Sequence, residues 1–225
     1  MNLDLWSDLL AAIDACEKNR KIRGIIIASG LEKDIFTAGN DIKELYSKTT
    51  SEERYMKFWT AQTTCLTRLL STRLATVAAI RGACPAGGCI TALCCDYRIM
   101  TNDVPNATIG LNEVALGISV PRYWAQLYIQ TLGRTRAEQS LLSGKMLTPT
   151  EAVAGGMLHH LTSKAALMGD AEKALSVFLR NPDAGRITTK MESRANFAKQ
   201  WQGYCEEEAK NAWKSQIYHT HTEHH

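Results

Sequence analysis

No stretch of this 225-residue chain approaches the roughly 20 consecutive apolar residues of a membrane-spanning helix, so no stable membrane insertion is expected. Its first residues show neither the apolar h-region of a signal peptide nor the Arg-rich, acid-poor texture of a transit segment. An excess of one charge is missing too: 26 Lys+Arg against 23 Asp+Glu leave only +3. Aromatics, 7% of residues, are not interleaved with any basic run, which argues against the charged, base-stacking groove of a nucleic-acid binder. The seven cysteines (Cys16, Cys65, Cys84, Cys89, Cys94, Cys95 and Cys205) form no C-x-x-C pair and have no histidine beside them, so no metal site is expected. Four of them fall in apolar sequence between Ala83 and Asp96, as buried thiols of a reducing compartment would. Phosphate-binding loops of the G-x-x-x-x-G-K-[ST] and G-x-G-x-x-G kinds are absent as well.

What is present is enough for a large core: 45% of residues are hydrophobic. Leu5, Trp6, Leu9, Leu10 and Ile13 recur at helical spacing, and a polar end follows at Glu17–Lys21. Ile22–Ala28 holds an unbroken Ile25-Ile26-Ile27 stretch that is apolar on both faces, as a central parallel strand covered by helices would be. A helix is expected from Ser51 to about Leu70, a second strand over Leu74–Ile80, and a small-residue helix from Pro85 to Cys94. Short strands follow at Tyr97–Met100 and Ala107–Ile109. From Pro121 on the texture is helical: Pro121–Leu132, Ala137–Leu142, Pro149–Val153, Lys164–Leu179 and Ile187–Trp213, broken at Gly133, Gly144 and Gly155-Gly156. The closing His-Thr-His-Thr-Glu-His-His is expected to fray. The class is α/β.

Three short segments could carry chemistry. Phe36-Thr37-Ala38-Gly39-Asn40-Asp41-Ile42 turns the chain toward a helix beginning near Asp41, where unpaired N–H groups and partial positive charge collect. Gly39 allows close approach to the backbone, and the Asn40 N–H could face a ligand; spacing alone favours an ordinary turn with Asp41 as helix cap. Arg81-Gly82-Ala83-Cys84-Pro85-Ala86-Gly87-Gly88-Cys89 repeats the design after the second strand, either for a ligand or for tight helix packing. Ile109–Ile118 sets one acid, Glu113, among aliphatic residues. Buried, it would be a strengthened base; turned outward, an ordinary loop glutamate.

F-T-A-G-N-D-I, R-G-A-C-P-A-G-G-C, C-D-Y-R-I and I-G-L-N-E-V-A-L-G-I together resemble the crotonase (enoyl-CoA hydratase/isomerase) superfamily, and most closely its mitochondrial 3,2-trans-enoyl-CoA isomerase branch. The resemblance runs from about Leu3 to His160 and more loosely beyond. It implies a ββα spiral core over residues 1–160 and a helical cap and oligomerisation region over 161–225. It also implies an oxyanion hole from the N–H groups of Asn40 and Gly87, an acyl-CoA site along Ala38, Gly39, Asn40, Asp41 and Ile42, and Asn112 beside the substrate. Family hydratases use two glutamates. Here the first position is Ile90 and the second is Glu113, which implies isomerisation of 3-enoyl-CoA to trans-2-enoyl-CoA, as in β-oxidation of unsaturated fatty acids. The alternatives are an enoyl-CoA hydratase and a catalytically silent acyl-CoA-binding protein.

By the same resemblance the partner is an acyl-CoA thioester, coenzyme A being part of the substrate and no separate cofactor being expected. Assembly would be a homotrimer, and the compartment the mitochondrial matrix. Arg194, Lys199 and Lys210 either meet CoA phosphates or lie on a solvated helix face. Relatives carry two or more strands before their first helix, whereas this chain starts at the helix. The expectation is therefore a core lacking its N-terminal strands, with an unpaired sheet edge and weakened CoA affinity.

Overall fold

A computed structural model describes the backbone of residues 1–222 and the side chains of residues 1–215. In chain order the elements are α1 (Leu3–Lys18), β1 (Gly24–Ala28), α2 (Ile42–Leu45), α3 (Glu52–Ser71), β2 (Ala75–Ile80), β3 (Cys84–Pro85), α4 (Gly87–Cys94), β4 (Tyr97–Thr101) and β5 (Ile109–Gly110). A 3₁₀ turn (Glu113–Leu116) precedes α5 (Arg122–Leu132), α6 (Arg134–Ser143), α7 (Pro149–Ala154), β6 (His160–Thr162), α8 (Leu167–Leu179) and α9 (Asp183–Thr222). Four strands form a parallel sheet in the order β1-β2-β4-β6, while β3 and β5 pair in a small second sheet. The α/β class and the helical C-terminal half follow the sequence reading.

The central strand shows why the sheet is covered on both faces. All six residues of β2 are buried. Successive side chains of a strand point to opposite faces, so Val77 and Ala79 join Ile99, Leu167 and Ala171 beneath α8. Ala78 and Ile80 enter the larger core with Phe58, Leu66, Met100 and Trp201. β1 divides its isoleucines likewise, Ile26 toward α8 and Ile25 and Ile27 toward the main core.

Several expectations are corrected. β1 is not central: among the described residues it pairs with β2 alone and lies at the sheet edge, its isoleucines only partly buried. A continuous apolar run reports cover on both faces, not partners on both sides. The helix expected from Pro85 begins at Gly87, because Pro85 and Cys84 pair with Gly110 and Ile109. The strand expected over Ala107–Ile109 is displaced to Ile109–Gly110. β6 is unanticipated and pairs with β4. The last helix starts at Asp183 and continues through Thr222, into the tail expected to fray; residues 223–225 lie outside the described residues.

The C-terminal helix is held by charge as well as by packing on α3. Asp96, at the head of β4, accepts from the Thr76 N–H at 2.9 Å, from Lys190 Nζ at 3.0 Å and from Arg194 at 2.7 Å. Lys190 is only 7% exposed, so removing its carboxylate would strand a buried ammonium. Asp96→Ala is expected to cost about 3–5 kcal/mol, read by denaturant unfolding; a loss below about 1 kcal/mol would show that α9 does not depend on this cluster.

Candidate active site

Backbone pairing brings the three candidate segments side by side. Ile35 bridges Ala83, and the Phe36 N–H donates to Ala83 O at 2.8 Å. On the other side β3 pairs in parallel with β5, and the Ala86 N–H donates to Gly110 O at 2.9 Å. Residues 35–37, 83–86 and 108–110 therefore run as three adjacent rows, and each releases its functional residues at the same end. Beyond the first row Gly39 turns with φ +83, and Asp41 caps α2, its side chain accepting from the Lys43 N–H at 2.9 Å. Beyond the second, Ala86 takes φ 49, a backbone state of the strained kind that gathers at functional sites. Gly87 then opens α4, where N–H groups have no acceptor within the helix.

The third row leads through Asn112 into the 3₁₀ turn that begins at Glu113. That turn is closed by Gly117, at φ 73, and by the Ile118 N–H donating to Glu113 O at 3.0 Å. It also leans on the end of α6, where a Cβ added to Gly144 would come within 2.9 Å of Ala115 Cβ.

A cavity of about 130 Å³ opens where the three rows end. Ala38, Gly39, Asn40, Ile42, Asn112 and Glu113 line it; Gly87 and Asp41 are not among its wall residues. Gly87 lies directly behind Asn40: a Cβ there would stand 3.0 Å from Asn40 Oδ1. Ile90 is fully buried and is not part of the wall. Most of the remaining wall, including Leu45, Leu116, Ile118 and Trp124, is apolar, Ser119 adds a hydroxyl, and Trp59 and Gln62 of α3 enter it as well. The sequence reading missed Gln62, although a glutamine within the apolar stripe Trp59, Leu66 and Leu69 was a visible signal.

Glu113 is the one acidic residue of this wall. The choice between a buried and an exposed glutamate is decided by its 8% exposure. Neither carboxylate oxygen has a hydrogen-bond partner. Burial, which penalises the charged form, pushes its pKa from 4.5 up to about 7. The site thus holds a carboxylate of near-neutral pKa with both oxygens uncommitted, in one cavity wall with Gly39, Asn40 and Ala86.

The other candidates are placed differently. Arg194 is engaged with Asp96, and Lys210 with Glu206 at 2.5 Å. Lys199 is exposed. The cysteines are free thiols, six of them buried, and burial holds Cys95 up at about 12. Among the described residues no helix is long and apolar enough to cross a membrane.

Comparison with known proteins bears on the family and the fold. The family described as Enoyl-CoA hydratase/isomerase matches residues 1–223. Enoyl-CoA delta isomerase 1, mitochondrial, of Mus musculus is 35% identical over 190 residues, covering 84% of this chain and 64% of that protein. Its Homo sapiens counterpart is 34% identical over the same length, covering 84% and 62%. The chain thus spans just under two thirds of the length of these curated relatives. The crystal structure of human mitochondrial delta3-delta2-enoyl-CoA isomerase superposes with a TM-score of 0.91 at 31% identity, covering 96% of this chain and 82% of that one.

The Glu113 environment has a thermodynamic consequence. The folded protein holds this proton more tightly than the unfolded chain does, so the stability it confers is complete below pH 4.5 and is lost as pH rises through about 7. At about 1.4 kcal/mol per pKa unit, the cost at pH 8 is about 3 kcal/mol. Glu113→Gln, neutral at every pH, should match the wild-type Tm near pH 4.5 and exceed it by several degrees at pH 8. Equal Tm values at both pH values would contradict a buried, proton-holding Glu113.

Proposed function

This chain belongs to the enoyl-CoA hydratase/isomerase family, and we propose that it converts 3-enoyl-CoA thioesters to the trans-2-enoyl form by a 1,3-proton shift. The observation that carries this reading is the solitary, buried, unpartnered carboxylate of Glu113. Adding water across a double bond is served by two acid–base groups, whereas moving one proton between two carbons needs a single group that gives back what it takes. The position that would supply a second glutamate is Ile90, an aliphatic side chain inside the core.

In the proposed reaction Glu113 removes a proton from C2 of the substrate, and the electron pair moves into the thioester to form a dienolate. The N–H groups of Asn40 and Gly87 stabilise its oxygen. The double bond shifts from C3–C4 to C2–C3 as the Glu113 carboxyl returns the proton to C4. A pKa of about 7 suits both halves: the carboxylate is a stronger base than in water, yet its conjugate acid still protonates readily. Each oxyanion donor is worth about 3 kcal/mol where water is excluded. Ala38, Gly39, Asp41, Ile42 and Asn112 are proposed to contact the acyl-CoA, with coenzyme A entering as part of the substrate.

β-Oxidation of unsaturated fatty acids, a homotrimeric assembly and a mitochondrial matrix location belong to the same proposal; for the last, the support is that the similar mouse and human proteins are named mitochondrial. The competing readings are a hydratase and a silent acyl-CoA binder, and one assay separates all three. With a 3-enoyl-CoA the wild type should yield trans-2-enoyl-CoA without gain of water, and Glu113→Gln should lower the rate by about 10²- to 10⁴-fold. The wild-type kcat/KM should rise with pH and level off above about 7 as Glu113 loses its proton. A product heavier by water would favour the hydratase, and saturable binding without turnover the silent binder.

A further inference from the structure

The proposed role of residue 40 uses only its backbone N–H, yet its side chain is committed at both ends. Asn40 Oδ1 accepts from Trp6 Nε1 at 3.3 Å, and Asn40 Nδ2 donates to Gln62 Oε1 at 2.6 Å. Trp6 belongs to α1 and Gln62 to α3, and both are buried, at 0% and 1% exposure. Two helices thus each turn a buried polar group toward one amide on a loop. Buried polar groups are costly unless paired, so each helix holds Asn40 in one rotamer.

The surroundings give this grip a consequence. Residues 31–50 contain only the single-turn α2, and the pairing with the second row stops at Thr37. Gly39, with φ +83, then bends the chain; its N–H donates to Thr37 Oγ1 at 2.7 Å and the Asp41 N–H to Met1 O at 2.9 Å, which leaves the Asn40 side chain as the grip from α1 and α3. The Asn40 side chain also lies over Gly87, where an added Cβ would come within 3.0 Å of Asn40 Oδ1 and 3.3 Å of Trp6 Cζ2. The same amide that is clamped by α1 and α3 therefore spaces the first junction from the second.

We propose that Trp6 and Gln62 are positioning residues that, through the Asn40 side chain, fix the Asn40 N–H relative to the Gly87 N–H. The inference rests on reading those two N–H groups as the oxyanion hole. Neither side chain needs to touch the reacting atoms; both act by removing the freedom of a loop donor, which matters because a small misplacement of a preorganised donor is felt in the rate rather than in substrate affinity.

The test is a double-mutant cycle with 3-hexenoyl-CoA. Gln62→Met keeps the side-chain volume and deletes the acceptor; it should lower kcat by about 10- to 100-fold, below the 10²- to 10³-fold of losing a donor outright, with KM within about twofold. Trp6→Phe should do the same more weakly. Gln62→Glu, which retains an acceptor oxygen, should recover most of the loss. In an Asn40→Ala background Gln62→Met should add nothing further. Additive losses there, or a wild-type rate for Gln62→Met alone, would overturn the proposal.

A readout independent of turnover separates this inference from the functional reading. By amide NMR, Gln62→Met should shift and broaden the residue 40 backbone amide resonance while leaving that of Leu66 of α3 unchanged. An unaltered residue 40 resonance would overturn the clamp whatever the enzyme catalyses. A shifted and broadened resonance in a protein that fails to isomerise would retain the clamp and reject the reaction.

Discussion

Everything at the site depends on a few backbone hydrogen bonds that stitch residues 35–37, 83–86 and 108–110 into adjacent rows. The three segments are far apart in sequence, and none has a helix or strand long enough to define its neighbour's position. Pairing fixes them relative to one another, so that Asn40 and the buried Glu113 line one cavity, with the helix-opening Gly87 against the Asn40 side chain. The strained turn at Ala86 and the left-handed turn at Gly39 follow from that stitch, since each chain must leave its row abruptly to reach the pocket. The larger parallel sheet and the Asp96 cluster act one level further out, seating α8 and α9 so that the rows have a rigid base.

Glu113 illustrates how the proposed function is set against stability here. An exposed glutamate would cost nothing and would be a weak base. Burying it with no hydrogen-bond partner raises its pKa to about 7 and costs stability at neutral pH. Only the backbone N–H of Glu113 itself pulls the other way among the described residues, and desolvation by burial outweighs it. The surrounding core, from Trp6 through Trp201, supplies the margin in which one such costly group can persist.

Much of this was legible in the chain. Alternating and continuous hydrophobic patterns located the principal helices and the strands at 24–28, 75–80 and 97–101, because those elements bury enough side chains to leave a period. The short strands at Cys84–Pro85, Ile109–Gly110 and His160–Thr162 were misplaced or unseen, since two or three residues carry no period and their pairing is decided by distant partners. Residues 38–42, Asn112 and Glu113 could be nominated from motif texture, but whether Glu113 was buried could not be read, because that depends on α6 packing against Ala115. Gln62 stood out only as a polar residue within an apolar stripe and Trp6, as a site residue, not at all, because only folding points both at Asn40.

The central claim is that one enclosed carboxylate carries a proton from C2 to C4 of the same substrate molecule. The most direct measurement is single-turnover conversion, in ordinary water, of a 3-enoyl-CoA bearing deuterium at C2, with the label located in the product by mass spectrometry. A single shielded base predicts that part of the deuterium reappears at C4. Product carrying only solvent hydrogen at C4 in every molecule, or carrying an added water, would contradict it.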